Sequence, residues 1–254
     1  MELNHFTYGW INPTLAYGIS FFGSLLGLIC TAKARGYRGA GHPTRWLVLA
    51  AVAIGGTGIW VMHFMAMLGF TVAGDDVRYD VSITLASAVA AVGVVGVGLF
   101  IVGTGDLSLP RLLVGGVFTG VGVAVMHYLG MAAMRVHGDI GYNTTLVAAS
   151  VAIAVVAATV ALWFTVVIQT PGLITLAAAI MGVAVCGMHY TGMAALEVHA
   201  VAGRTQVGGV EPFNFLMPVV MLAGVAMIMV LYTVLTAPEE DEHTATRETA
   251  RVNG

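Results

Sequence analysis

Seven long apolar stretches, most of them nearly free of charge, constrain this chain more than any other feature. They fall at about 12–34, 46–70, 81–103, 111–135, 144–168, 172–197 and 213–236. Each is close to the roughly 20 residues that a helix needs to cross a bilayer. None alternates every second residue as a half-buried strand does. In hydrocarbon, only helices and closed barrels satisfy their own backbone groups. The expected fold is therefore an all-α membrane protein with seven transmembrane helices. Composition agrees, with 58% hydrophobic and 9% charged residues, against about 25% charged in soluble domains. That balance excludes a soluble enzyme, a disordered chain and a nucleic-acid binder. A net charge of −3 offers no basic surface for phosphates. Two cysteines make no disulfide framework. No basic segment or small-residue cleavage site marks a removable signal peptide.

Loop charge suggests the orientation. With the N-terminus outside, the inner segments hold Lys33, Arg35, Arg38, Arg45, Arg111, Arg247 and Arg251, and the outer ones hold Arg78, Arg135 and Arg204. The positive-inside rule then favours N-out and C-in. The organisation expected is an outer N-terminal segment at 1–11, a membrane domain at 12–236 and a disordered cytoplasmic tail at 237–254. No catalytic domain is expected in that tail, so the chain reads as a non-enzyme. Asn12, Asp80, Asn143 and Asn214 stand near the outer starts of the odd-numbered runs. Side chains of this type cap helix N-termini, and Pro13 suits a first helical position.

The even-numbered runs carry one pattern three times: Met62-His63-Phe64-Met65-Ala66-Met67, Met126-His127-Tyr128-Leu129-Gly130-Met131 and Met188-His189-Tyr190-Thr191-Gly192-Met193. The His-to-His intervals are 64 and 62 residues, which suggests a repeated two-helix unit. Each His lies seven or eight residues from the expected outer end of its run, about 10–12 Å deep at the rise of an α-helix. The second Met of each copy follows its His by four and so shares its helix face. Ionisable groups are costly within a membrane and mark function there. One His and one thioether from each of three helices make a soft donor set suited to copper. The candidate metal ligands are His63, Met67, His127, Met131, His189 and Met193. Met62, Met126, Met188 and Cys186 are possible additional ligands, and Cys30 reads as packing. Phe64, Tyr128 and Tyr190 read as packing or as support for the site. Gly56, Gly120 and Gly182, each seven residues before a His, read as points of close helix approach. His137, Glu197, His199, Asp75 and Asp76 read as solvated groups at the outer ends, and His5 and His42 as loop residues.

Across residues 8–236, the motifs Met126-His127-Tyr128, Met188-His189-Tyr190-Thr191 and Met62-His63-Phe64 closely resemble those of the MHYT-domain family of bacterial integral membrane sensors. The resemblance implies a seven-helix domain in the bacterial inner (plasma) membrane. It also implies an outer-leaflet copper site that senses a diatomic gas such as oxygen, carbon monoxide or nitric oxide, or redox state. Many relatives carry cytoplasmic signalling modules, so a separate cytoplasmic partner is expected for this chain. Two alternatives use the same residues. One is a copper carrier or chaperone for a membrane oxidase. The other is a haem-binding redox protein with two of the His as axial ligands.

Overall fold

The computed structural model describes residues 3–4, 7–36, 43–73, 76–106, 108–200 and 208–237, without the side chain of Ala200. The readings made for His5, His42, Asp75, Arg38, Arg204, Arg247, Arg251 and residues 238–254 of the tail lie outside them. Among the described residues, seven helices are long and apolar enough to cross a membrane: α1 Ile11–Gly36, α2 Pro43–Met67, α3 Val81–Gly103, α4 Leu109–Ala132, α5 Thr144–Val167, α6 Pro171–Ala194 and α7 Pro212–Leu235. The protein is a multi-pass membrane protein. Helices α1 to α6 form a closed ring in chain order, each packed on the next and α6 returning to α1. Helix α7 stands outside this ring against α1 and α2.

The starts of the helices follow local chemistry. Asp80 accepts hydrogen bonds from the N–H groups of Ser82 and Ile83 at 3.0 and 3.2 Å, and Asn143 from Thr145 and Leu146 at 3.1 and 3.3 Å. These are the expected caps of α3 and α5. Asn12 and Asn214 do other work. Asn12 is already inside α1, buried, and its Nδ2 donates to the Met65 carbonyl at 3.3 Å. It ties α1 to the end of α2. Asn214 sits in the first turn of α7 behind the flanking residue Glu211, to which its Nδ2 donates at 3.4 Å.

The even-numbered helices end about three residues earlier than their apolar runs, at Met67, Ala132 and Ala194. The reason is strand pairing. The chain leaving each of these helices is drawn into a short antiparallel ribbon. Strand β1 (Leu3–Asn4) pairs with β2 (Thr71–Val72), β3 (Arg78–Tyr79) with β4 (Met134–Arg135), and β5 (Gly138–Tyr142) with β6 (Leu196–Ala200). The backbone N–H groups of the two cap residues join in, Asp80 donating to Ala133 O and Asn143 to Ala195 O, both at 2.8 Å. Arg135 closes on the Asp80 carboxylate at 2.9 Å. That pairing, with the N–H of Ile83, holds the Asp80 carboxyl below the usual carboxylate range. A one-residue slip would turn Ile140 and Val198 outward, so burial fixes the register.

The opposite end carries four of the six described Lys and Arg residues, against Arg78 and Arg135 at the ribbon end. Arg35 donates to the carbonyl of Ile168, just past the end of α5, where cations are favoured. Arg111 donates to Ile101 O near the end of α3. Lys33 and Arg45 lie over the Trp46 ring at 5.7 and 5.1 Å.

Within α2 the segment Val52–Val61 is a π-helix. Its i→i+5 bonds take up extra residues per turn, and this shifts the pattern leading to His63.

Candidate metal centre

Three imidazoles meet inside the ring. His63 Nδ1 is 2.9 Å from His189 Nδ1 and 3.1 Å from His127 Nδ1. The ring planes are nearly perpendicular, at 74°, 79° and 88°, with centroids 4.8–5.2 Å apart. All three side chains are about 1% exposed. His63 stands four residues before the end of α2, and His127 and His189 five before the ends of α4 and α6. The triad therefore lies about 6–8 Å from the helix ends, shallower than the 10–12 Å expected from the full apolar runs. The lost depth is the length taken by the ribbons.

Each helix supports its own imidazole. Phe64, Tyr128 and Tyr190 stand edge-on to the preceding His, with centroids 4.8, 5.0 and 5.0 Å away. Tyr128 is fixed by a 2.7 Å hydrogen bond between its hydroxyl and Ser150 Oγ.

The next even-numbered helix across the ring supplies a second surface that the His–Met pattern did not mark. A Cβ on Gly130 would stand 2.4 Å from His63 Nε2, and one on Gly192 would stand 2.2 Å from His127 Nε2. Glycine at these places lets each ring lie against the next helix. The signal lay in the repeat itself, because the residue three after each His is small: Ala66, Gly130 and Gly192.

The arrangement is chemically particular. Nε2 of His63 and of His127 is buried without a hydrogen-bond partner among the described residues. A neutral imidazole carries one N–H and one lone pair. If His63 accepts at Nδ1 from both neighbours, its own N–H points at the Gly130 backbone and is lost. With the protons at Nε2, the Nδ1 lone pairs face one another at 2.9 and 3.1 Å and repel, and a cation bound between them turns that repulsion into ligation. Two nitrogens each about 2.0 Å from an ion at the tetrahedral angle stand about 3.3 Å apart, so the observed spacing needs only a small expansion. The donor set fits a metal ion.

The three His are the one group of His, Cys, Asp and Glu among the described residues placed to hold an ion together. Cys186, read as a possible ligand, is not in that group. It packs instead in a small cluster with Met62, Ala66 and Tyr190 beside α1. Met67, Met131 and Met193 are buried in the main core, as are Met126 and Met188. Cys30 is fully buried in the same core, in keeping with a packing role.

The glycines below the triad are close-approach points, with one change of position. A Cβ on Gly120 would meet the α5 backbone at 2.4 Å from Val155 Cα, and one on Gly182 would stand 3.0 Å from the Tyr17 ring of α1. On α2 the residue in this role is Gly55, whose Cβ would meet Ala91 O of α3 at 2.7 Å, whereas one on Gly56 would find only Val92 Cγ2 at 3.5 Å. The π-helix moves the contact from seven to eight residues before the His.

Comparison with known proteins agrees with these motifs. The model of the MHYT family, described as a bacterial signalling protein N-terminal repeat, matches residues 56–115 and again 120–179. The chain belongs to the MHYT family. It is 37% identical over 182 residues, 68% of its length, to the bifunctional diguanylate cyclase/cyclic di-GMP phosphodiesterase MucR of Pseudomonas aeruginosa. It is 36% identical over 173 residues, 64% of its length, to the cyclic di-GMP phosphodiesterase NbdA of the same organism. The signaling protein YkoW of Bacillus subtilis is 35% identical over 161 residues, 61% of the chain. The matched regions are 25%, 21% and 20% of those relatives, so the MHYT chain spans a quarter or less of their length. No solved structure matches.

Proposed function

We propose that this MHYT protein is a sensory membrane protein with one copper ion held by His63, His127 and His189 in the outer leaflet. The ion's ligation would report a diatomic gas or redox state to a separate cytoplasmic partner. The observation that carries this reading is the convergence of three buried Nδ1 atoms, at 2.9 and 3.1 Å, from three different helices. Imidazole suits several metals, and the buried Met67, Met131 and Met193 one turn along the same helices favour copper, because thioethers are soft ligands. No carboxylate joins the three His among the described residues, which disfavours oxygen-seeking ions. A haem is disfavoured too, because nitrogens 2.9 Å apart leave no slot for a macrocycle between them. The basic groups Arg35, Arg45 and Arg111 stand at the end away from the triad, which favours an N-out, C-in orientation. The signalling role rests on the kinship with MucR and NbdA, whose names describe cyclic di-GMP enzymes.

The test is metal content of the purified full chain after copper loading. Wild type should hold about one copper per chain. His63→Ala, His127→Ala and His189→Ala should each weaken binding at least about tenfold, while His137→Ala and His199→Ala should not. Full copper retention in all three triad variants would overturn the site.

A further inference from the structure

Beneath the triad the ring holds a partly open apolar cavity of about 60 Å³. Its roof is formed by Ile59, Val123 and Val185, and these are the residues four before His63, His127 and His189. Met188, directly before His189, lines it as well. On α2, α4 and α6 the cavity thus begins one helical turn below the imidazoles.

The walls exclude most occupants. Thr119 and Thr165 are the only polar residues among the described ones lining the cavity. Thr165 spends its hydroxyl on Leu162 O at 2.7 Å. Thr119 is 4% exposed and its hydroxyl has no hydrogen-bond partner among the described residues. A water needs two to four polar partners, and apolar cavities stay dry. A lipid tail is too large for the space. One small molecule of two or three heavy atoms fits, since about 10–15 Å³ of such volume already accommodates a water.

The cavity also has a route to the bilayer. A groove on the lipid-facing side between α5 and α6 is lined by Val156, Val160 and Ile180, which are 64%, 36% and 45% exposed. Four residues, Ala157, Ala161, Met181 and Ala184, line both the groove and the cavity. Three of these four are alanines, so the partition between lipid and interior is one small side chain thick.

We propose that this cavity is a binding chamber for a small, uncharged, apolar molecule of the size class of dioxygen or xenon, which enters from the lipid between α5 and α6. Such molecules dissolve in hydrocarbon, and the passage through Ala157, Ala161 and Ala184 spares them the aqueous surface. Occupancy depends only on the chamber. The use made of the molecule rests on the metal-site reading above, because the roof residues place it one helical turn from the imidazoles.

Xenon alone is the probe, applied under pressure to crystals of the full chain grown from lipid. Wild type should show one xenon site between Thr119 and Met188. His63→Ala should keep it, which separates this inference from the metal reading. Ala157→Leu and Ala184→Leu should each lower xenon occupancy at least tenfold, while Val183→Leu, on the lipid face outside the groove, should leave it unchanged. Acyl-chain or water density in the wild-type chamber, or no xenon there, would overturn the proposal. Unchanged occupancy in both alanine variants would overturn the placement of the chamber, and an unchanged rate of xenon uptake in timed soaks of the same variants would overturn the entry route.

Discussion

Gly130 and Gly192 decide where the His63 and His127 rings can lie, because each removes the Cβ that would strike a neighbour's Nε2. Gly130→Ala and Gly192→Ala should therefore push an imidazole off the shared centre. Loss of a residue that orients a metal ligand typically costs about 10–100-fold in affinity, and we expect that range for copper in each variant. Gly187→Ala, where a Cβ meets nothing within 4 Å, should bind as wild type. Copper titration of the three variants with a competing chelator distinguishes these outcomes, and equal affinities would remove the positioning role. The triad itself was legible from the sequence, since His in an apolar run is costly and the copies recur at a fixed interval. The two glycines were marked only as small residues three after a His, in a chain where Gly occurs 33 times. Which of them touches an imidazole depends on how one helix meets the next, a tertiary fact that the local sequence does not carry. Cys186 illustrates the same limit. Three residues from His189 it seemed within reach of the centre, yet its side chain turns toward Met62 and Ala66.

At the scale of the element, the seven helices could be read from length and hydropathy alone, and the Asp80 and Asn143 caps from residue type. The ribbons escaped because their strands are only two to five residues long, and β4 and β6 begin while the chain is still apolar. Period-two alternation is not detectable over so short a span. The π-helix escaped as well, since Val52–Val61 reads as an ordinary apolar helix. Its consequence can be tested. Gly55 faces the α3 backbone at a distance no Cβ tolerates, while Gly56 has ordinary room. Overpacking a close contact costs about 1–3 kcal/mol, so Gly55→Ala should lower the thermal midpoint of the detergent-solubilised protein. Gly56→Ala should be neutral or slightly stabilising, because Ala outranks Gly in a helix by up to about 1 kcal/mol. A regular α-helical register through this segment predicts the reverse order, so the pair of melting curves decides between the two registers.

For the whole molecule, the ring places the triad at one end and the anchoring arginines at the other. That polarity predicts its orientation. A reporter fused after Asp106, between α3 and α4, should read cytoplasmic, and one inserted at Gly141, in the ribbon before α5, should read exterior. The opposite pattern would invert the proposed membrane orientation. The polarity also sets what a signal must do. An ion at the triad joins α2, α4 and α6 close to the ribbons that already pin their ends. Any change in its ligation must therefore emerge at the far end, which on α4 lies 18 residues from His127, about 27 Å away. There the ring is tied by lighter contacts, such as Arg35 to Ile168 O. A ligand shifts such an assembly only if it binds two arrangements unequally. Spin labels at Thr44, Leu109 and Leu173, near the starts of α2, α4 and α6, would report the far ends in the copper-loaded protein. Carbon monoxide or oxygen should move at least one label pair by about 1–2 Å, the scale of helix shifts in switching proteins. The same gas should produce no change in His127→Ala. Unchanged distances under every gas, with copper bound, would leave a structural or copper-transfer role in place of sensing, because an ion that holds three helices in one arrangement carries no message between the two faces.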